Sequence, residues 1–133
     1  TAANNGAHGI AVSLDVTDAA MEWDTAVHLV PEMIERLRLI EKGRRVVNIN
    51  APNISLTEVS GVQITGLAKW GDAAGTLQSS GDGSWSFERQ PGDPKRRIAG
   101  TDNAAVREGS ISVSELVGLK VQTSDLDLTD LAL

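Results

Sequence analysis

Residues 9–51 read GIAVSLDVTDAAMEWDTAVHLVPEMIERLRLIEKGRRVVNINA, and the fold class turns on this stretch. Ile10 to Leu14 is a compact apolar run with almost no alternation. That pattern predicts a short strand covered on both faces, as in a parallel sheet. A polar loop follows, and Asp24 is placed to cap a helix. The apolar positions Val27, Val30, Ile34, Leu37 and Ile40 recur at steps of three and four and form one helical face. Glu32, Glu35, Arg36 and Arg38 supply the wet faces. Pro31 has no N–H to donate, which predicts a kink or a later helix start. Gly43 ends the helix, Val46 to Asn50 forms the next strand, and Pro52 stops it. Strand, helix and strand at this spacing make a βαβ crossover, so the fold class is α/β.

Upstream of that unit, Thr1 to Asn5 suits the last turn of a helix, with Asn5-Gly6 as its stop. A helix stub followed at once by a strand reads as the middle of a βαβ unit. Downstream, Val62, Ile64 and Leu67 suggest a strand with one buried face. From Gly71 the chain turns rich in Gly, Ser and Asp. Asp82-Gly83 signals a turn, with Trp85 and Phe87 at period two behind it, so an antiparallel hairpin arm is expected. Thr101 or Asp102 caps two turns of helix that stop at Gly109, and Ile111 to Val113 forms a strand. The tail TSDLDLTDLAL reads as a short terminal helix anchored by Leu126, Leu128 and Leu131. Residues 1–70 are expected to form the sheet, and residues 71–133 a projecting arm and oligomerisation segment of the same domain.

Composition narrows the function. The chain has 133 residues, enough for one domain with a core, and 41% of them are hydrophobic. A net charge of −6 argues against a nucleic-acid polymer as partner, because phosphate contacts need clustered Lys and Arg. With no Cys, thiol catalysis and Cys-based metal sites are excluded. No apolar run approaches the ~18 residues of a membrane helix, so no membrane partner is expected.

The order of motifs resembles a known family. GIAVSL at 9–14, VVNINAP at 46–52, GVQITGL at 61–67 and GTDNAAVREGSISVSEL at 100–116 are similar, in sequence and order, to the C-terminal half of the SurE survival-protein nucleotidases. The resemblance runs over almost the whole chain. It implies the C-terminal part of a Rossmann-type three-layer fold. Family members carry an upstream S-N-D-D-G metal motif and an S-G-T-V-G-A-A stretch, and TAANNG at 1–6 is similar to the residues directly after that stretch. No Asp-Asp-Gly and no Ser-Gly-Thr occurs here, so no catalytic residue and no metal ligand is expected in this chain. Three positions depart from the family pattern: His8 and Glu115 stand where it has proline, and Ser110 where it has an aromatic. The last two put the docking of the terminal segment in question.

The resemblance implies a divalent-metal-dependent phosphohydrolase (Mg or Mn) that releases phosphate from nucleoside monophosphates in the cytoplasm. This chain would supply sheet, cleft wall and oligomer contacts and would be inactive alone. A dimer or tetramer formed by arm exchange is implied too, and the open sheet edge argues against a stable monomer. The alternative is a non-catalytic binding or assembly module.

Three residues are candidates for touching substrate or supporting groups that do. Ser13 lies near the C-terminal end of a parallel strand, where open α/β sheets bind ligands; the plain alternative is a buried, backbone-bonded serine. Asn48 and Asn50 share one face of their strand and need partners, at the site or in the turn at Ala51-Pro52. Other groups read as structural. His8 and His28 lack metal-ligand spacing, and Asp125, Asp127 and Asp130 lack the Gly and Glu of a calcium loop. Lys95-Arg96-Arg97 reads as a solvated charge run, and Asp102 as part of a helix cap.

Overall fold

The structure, a computed structural model, describes residues 2–41, 44–68, 74–90, 98–117 and 120–121. The expected terminal helix, the basic run at 95–97 and the acidic positions at 125–130 lie outside the described residues. One 3-10 turn, Ala3–Asn5, closes at Gly6, whose φ of 75° is the left-handed stop expected there. Strand β1 (Gly9–Leu14) comes next and pairs in parallel with β2 (Val46–Ala51), with Ile10 opposite Val47 and Ser13 opposite Asn50. A parallel pair needs a crossover, and helices α1 (Trp23–Val27) and α2 (Val30–Arg38) supply it.

The crossover differs in detail from the single helix expected. The helix breaks at His28–Leu29, and Pro31 falls in the first turn of α2, where its missing N–H is not needed. Asp24 lies inside the first turn of α1 and caps nothing; Glu22 precedes the helix without a side-chain capping bond. The buried stripe is Ala26, Leu29, Met33 and Leu37, whereas Val27 and Ile34 are 49% and 44% exposed. Two short helices with a break between them need not share the phase of one continuous helix. On the wet side Arg36 pairs with Glu32 at 2.6 Å, an i,i+4 contact.

Strand β6 (Ser110–Val117) is longer than the three residues expected and inserts between β2 and β3 (Gly61–Ile64). It runs antiparallel to β2 and parallel to β3, and β7 (Lys120–Val121) folds back on its end. The sheet order is therefore β1-β2-β6-β3, drawn from both sides of residue 70. One face is apolar: Val47, Ile49, Ala51, Ile111 and Val113 pack with Leu14 against the buried stripe of the crossover. Each Val, Ile or Leu side chain among them is worth roughly 1.5–3 kcal/mol when fully buried. Val62 joins this core, while Ile64 and Leu67 are exposed, so the single buried face expected from 62 to 67 does not form.

The apolar run of β1 predicts cover on both faces, and the structure does not provide it. Ala11, Val12 and Ser13 are exposed, because β1 is the outer strand of the sheet among the described residues. An apolar run states what a strand can bury; burial itself requires a neighbour. The expected arm is present. Strands β4 (Ala74–Ser79) and β5 (Trp85–Gln90) form a separate two-stranded antiparallel sheet. Gly81 and Gly83 take positive φ in its turn. Between them the Asp82 carboxyl is held below its ordinary range, chiefly by a 2.6 Å hydrogen bond from the Ser84 hydroxyl and then by the Ser84 N–H.

Candidate active site

The carboxyl ends of β1 and β2 lie side by side, and an open cleft of about 180 Å³ forms beyond them. Ser13 and Leu14 come from the end of β1, and Asp15 from the loop after it. Asn50 comes from the end of β2, and Asn103 and Val106 from α3 (Asp102–Arg107). Open α/β sheets bind ligands at this end of their parallel strands, because the loops diverge there and leave a crevice. Among the described residues, no Lys, Arg or His lines the cleft.

The sequence candidates separate here. Ser13 and Asn50 are brought together, as register neighbours that both line the cleft. Asn48 shares their face of the sheet but sits one pleat deeper, opposite Ala11 and Ser114, and does not line it. Behind this polar face stand buried hydroxyls. Thr65 Oγ1 lies 2.6 Å from Ser112 Oγ and 2.9 Å from Ser114 Oγ, and each group can both donate and accept.

Helix α3 is fixed over that face by its first turn. Thr101 is the cap, its hydroxyl accepting from the Ala104 N–H at 3.4 Å. Asp102, the first helical residue, has a different task. Its Oδ1 accepts from the N–H groups of Ala68 at 2.7 Å and Asn103 at 2.9 Å, and its Oδ2 accepts from Asn50 Nδ2 at 3.2 Å. Reading the sequence as a local cap misses the Asn50 contact, which spans 52 residues.

Sequence reading also misses Asn53. Its Oδ1 accepts from the Glu22 N–H at 2.8 Å, and its Nδ2 donates to Thr17 Oγ1 and to the Ala20 carbonyl. Thr25 Oγ1 donates to the Ile54 carbonyl beside it. Together they strap the loop after β1 and the start of α1 to the loop after β2. A polar residue directly after Pro52 is the only local signal for this.

Two departures from the family pattern have partners. His8 Nδ1 accepts from the Arg45 N–H at 3.0 Å. Glu115 sits within β6 and meets Arg45 Nη1 at 2.9 Å through Oε1. A divalent metal is implied by the resemblance, and the described residues do not form a site for one. No group of three or more His, Asp or Glu side chains converges among them. The Asp102 carboxylate, which reaches the cleft wall through Asn50, already accepts three hydrogen bonds.

Parallel strands joined by a helical crossover, with a polar cleft at their carboxyl ends, define a mixed α/β protein of Rossmann-like character. Comparison with known proteins places it more closely. The family model "Survival protein SurE" matches residues 1–73, and the chain belongs to this family. A 5'-nucleotidase SurE from Brucella canis is 35% identical over 120 residues, covering 84% of this chain and 46% of the relative. Another, from Actinobacillus succinogenes, is 30% identical over 114 residues, covering 84% and 45%. The crystal structure of the SurE protein from Aquifex aeolicus superposes with a TM-score of 0.60 at 20% identity, over 92% of this chain and 47% of that one. The chain thus spans about half the length of the relatives it matches.

Proposed function

We propose that this chain is the C-terminal part of a divalent-metal-dependent phosphohydrolase that releases phosphate from nucleoside monophosphates. The observation that carries the reading is the cleft at the carboxyl ends of β1 and β2, where Ser13 and Asn50 converge. The names of the relatives supply the reaction class. In this reading Ser13 and Asn50 form one wall of the substrate cleft, and Asn48 supports β2 behind them. The metal, Mg or Mn, is held by residues outside this chain; when bound it polarises phosphate and activates water. The protein acts in the cytoplasm, and the hairpin at 74–90 is an arm exchanged between subunits of a dimer or tetramer.

The test is phosphate release from nucleoside monophosphates with added magnesium or manganese, using the complete protein and the 133-residue chain side by side. The complete protein is expected to turn over, Ser13→Ala and Asn50→Ala to lower kcat/KM about tenfold or more (~1.4 kcal/mol), and the chain alone to stay at buffer level. Turnover by the purified chain would place the catalytic groups within these residues and overturn the assignment.

A further inference from the structure

The hydrogen bonds of Asp102 determine more than the position of a helix. A carboxylate can only accept. The amide corner that Asn50 turns toward Asp102 Oδ2, at 3.2 Å, is therefore its NH2 group. Asp102 itself cannot swing away freely, because the Ala68 and Asn103 N–H groups hold its other oxygen. The opposite corner of the Asn50 amide is then an oxygen. It meets no donor among the described residues, and Asn50 lines the cleft.

The rest of the lining has the same polarity. Asp15 presents a carboxylate, one oxygen of which accepts from the Val16 N–H at 3.0 Å. Ser13 adds an exposed hydroxyl beside Asn50. With no cation among the described residues of the lining, a phosphate at this wall would face a carboxylate and an amide oxygen and find no described side chain to offset its charge. Hydroxyl groups, which can donate to both, match the wall instead.

We propose that Asp102 is a positioning residue that locks the Asn50 amide with its oxygen toward the cleft, making this wall an acceptor surface for the sugar hydroxyls of a nucleoside rather than for its phosphate. The inference rests on the nucleotide reading for the identity of the ligand. Its test uses nucleosides without phosphate, so that hydrolysis plays no part in the readout. Adenosine and 2′,3′-dideoxyadenosine are titrated calorimetrically into the complete protein and its variants.

The unsubstituted protein is expected to bind adenosine about three- to tenfold more tightly than the dideoxy compound, the worth of about one net hydrogen bond. D102N keeps an acceptor for the Ala68 and Asn103 N–H groups but offers Asn50 a donor, so the Asn50 amide turns over and the preference disappears. The exchanged pair N50D/D102N again presents a locked oxygen to the cleft and restores it. Should D102N fail to fold, Asn50→Leu removes the acceptor with Asp102 in place and is expected to abolish the same preference. Equal affinity of the unsubstituted protein for the two nucleosides overturns the inference. So does a D102N defect that weakens both compounds alike and is not reversed by the exchanged pair, which would mark a purely structural role. Absence of phosphate release with the sugar preference intact would instead remove the catalytic reading and leave this one standing.

Discussion

Glu115 stands in a strand with 2% of its side chain exposed, where the resemblance read from the sequence implies a proline. A buried carboxylate is costly unless its charge is met, and Arg45 Nη1 meets it at 2.9 Å. Glu115 Oε2 is buried without a hydrogen-bond donor, so the pair is not fully satisfied. Such pairs seldom add net stability over apolar residues of similar shape, yet removing one partner strands the other. Arg45→Met is therefore expected to destabilise by about 3–5 kcal/mol. Arg45→Met combined with Glu115→Leu should recover most of that loss. Urea denaturation of the two variants checks both statements, and equal loss in the single and double variants would show that the charges do not depend on each other. The pair links the start of β2 to β6, while the terminal segment whose docking the sequence puts in question lies outside the described residues.

At the scale of elements, the crossover shows how a proline is read. Within one long helix, Pro31 would cost ~3 kcal/mol or more. In the structure it opens α2, where no N–H is required of it, and the break lets Leu29 reach the core. Pro31→Ala is accordingly expected to change stability by less than about 1 kcal/mol. A loss of several kcal/mol in a urea melt would mean that the fixed φ of the proline holds the break open. The hairpin is a second case. Leu77, Phe87 and Trp85 lie on one face of β4–β5 and are 64%, 65% and 67% exposed. Thr76, Gln78, Ser86 and Glu88 take the other face, with Gln78 Nε2 donating to Glu88 Oε2. The Phe87 ring lies over Gly75, where an added Cβ would come within 1.9 Å of it. The aromatic face is thus shaped by a residue that has no side chain of its own.

For the whole molecule, the question is what covers the apolar surface left open. A two-stranded hairpin is marginal in water by itself, and a large exposed apolar face marks an interface. If arm exchange between subunits covers Leu77, Trp85 and Phe87, the W85S/F87S variant of the complete protein should scatter light with a smaller mass than the unsubstituted protein across a dilution series. An unchanged mass would assign the arm another role. The outer edges of β1 and β3 are open too, since neither edge has a strand partner among the described residues. No helix among the described residues is long and apolar enough to cross a membrane.

The sequence by itself determined the local units. Strand, crossover and strand over 9–51 were legible because apolar spacing is a property of neighbours, and the hairpin because Asp82-Gly83 carries its own turn chemistry. Thr101 and Gly109 likewise bound α3 through short-range signals. The features that only the tertiary structure decided depend on residues far apart in the chain. The insertion of β6 between β2 and β3 and the exposure of β1 arise from which strands found neighbours, and no period reports that. The candidate site divides the same way. Ser13 and Asn50 could be named from their places at strand ends, but the separation of Asn50 from Asn48 needed the depth of the sheet. The direction of the Asn50 amide needed Asp102, because a hydrogen bond across 52 residues leaves no pattern in the sequence between its partners.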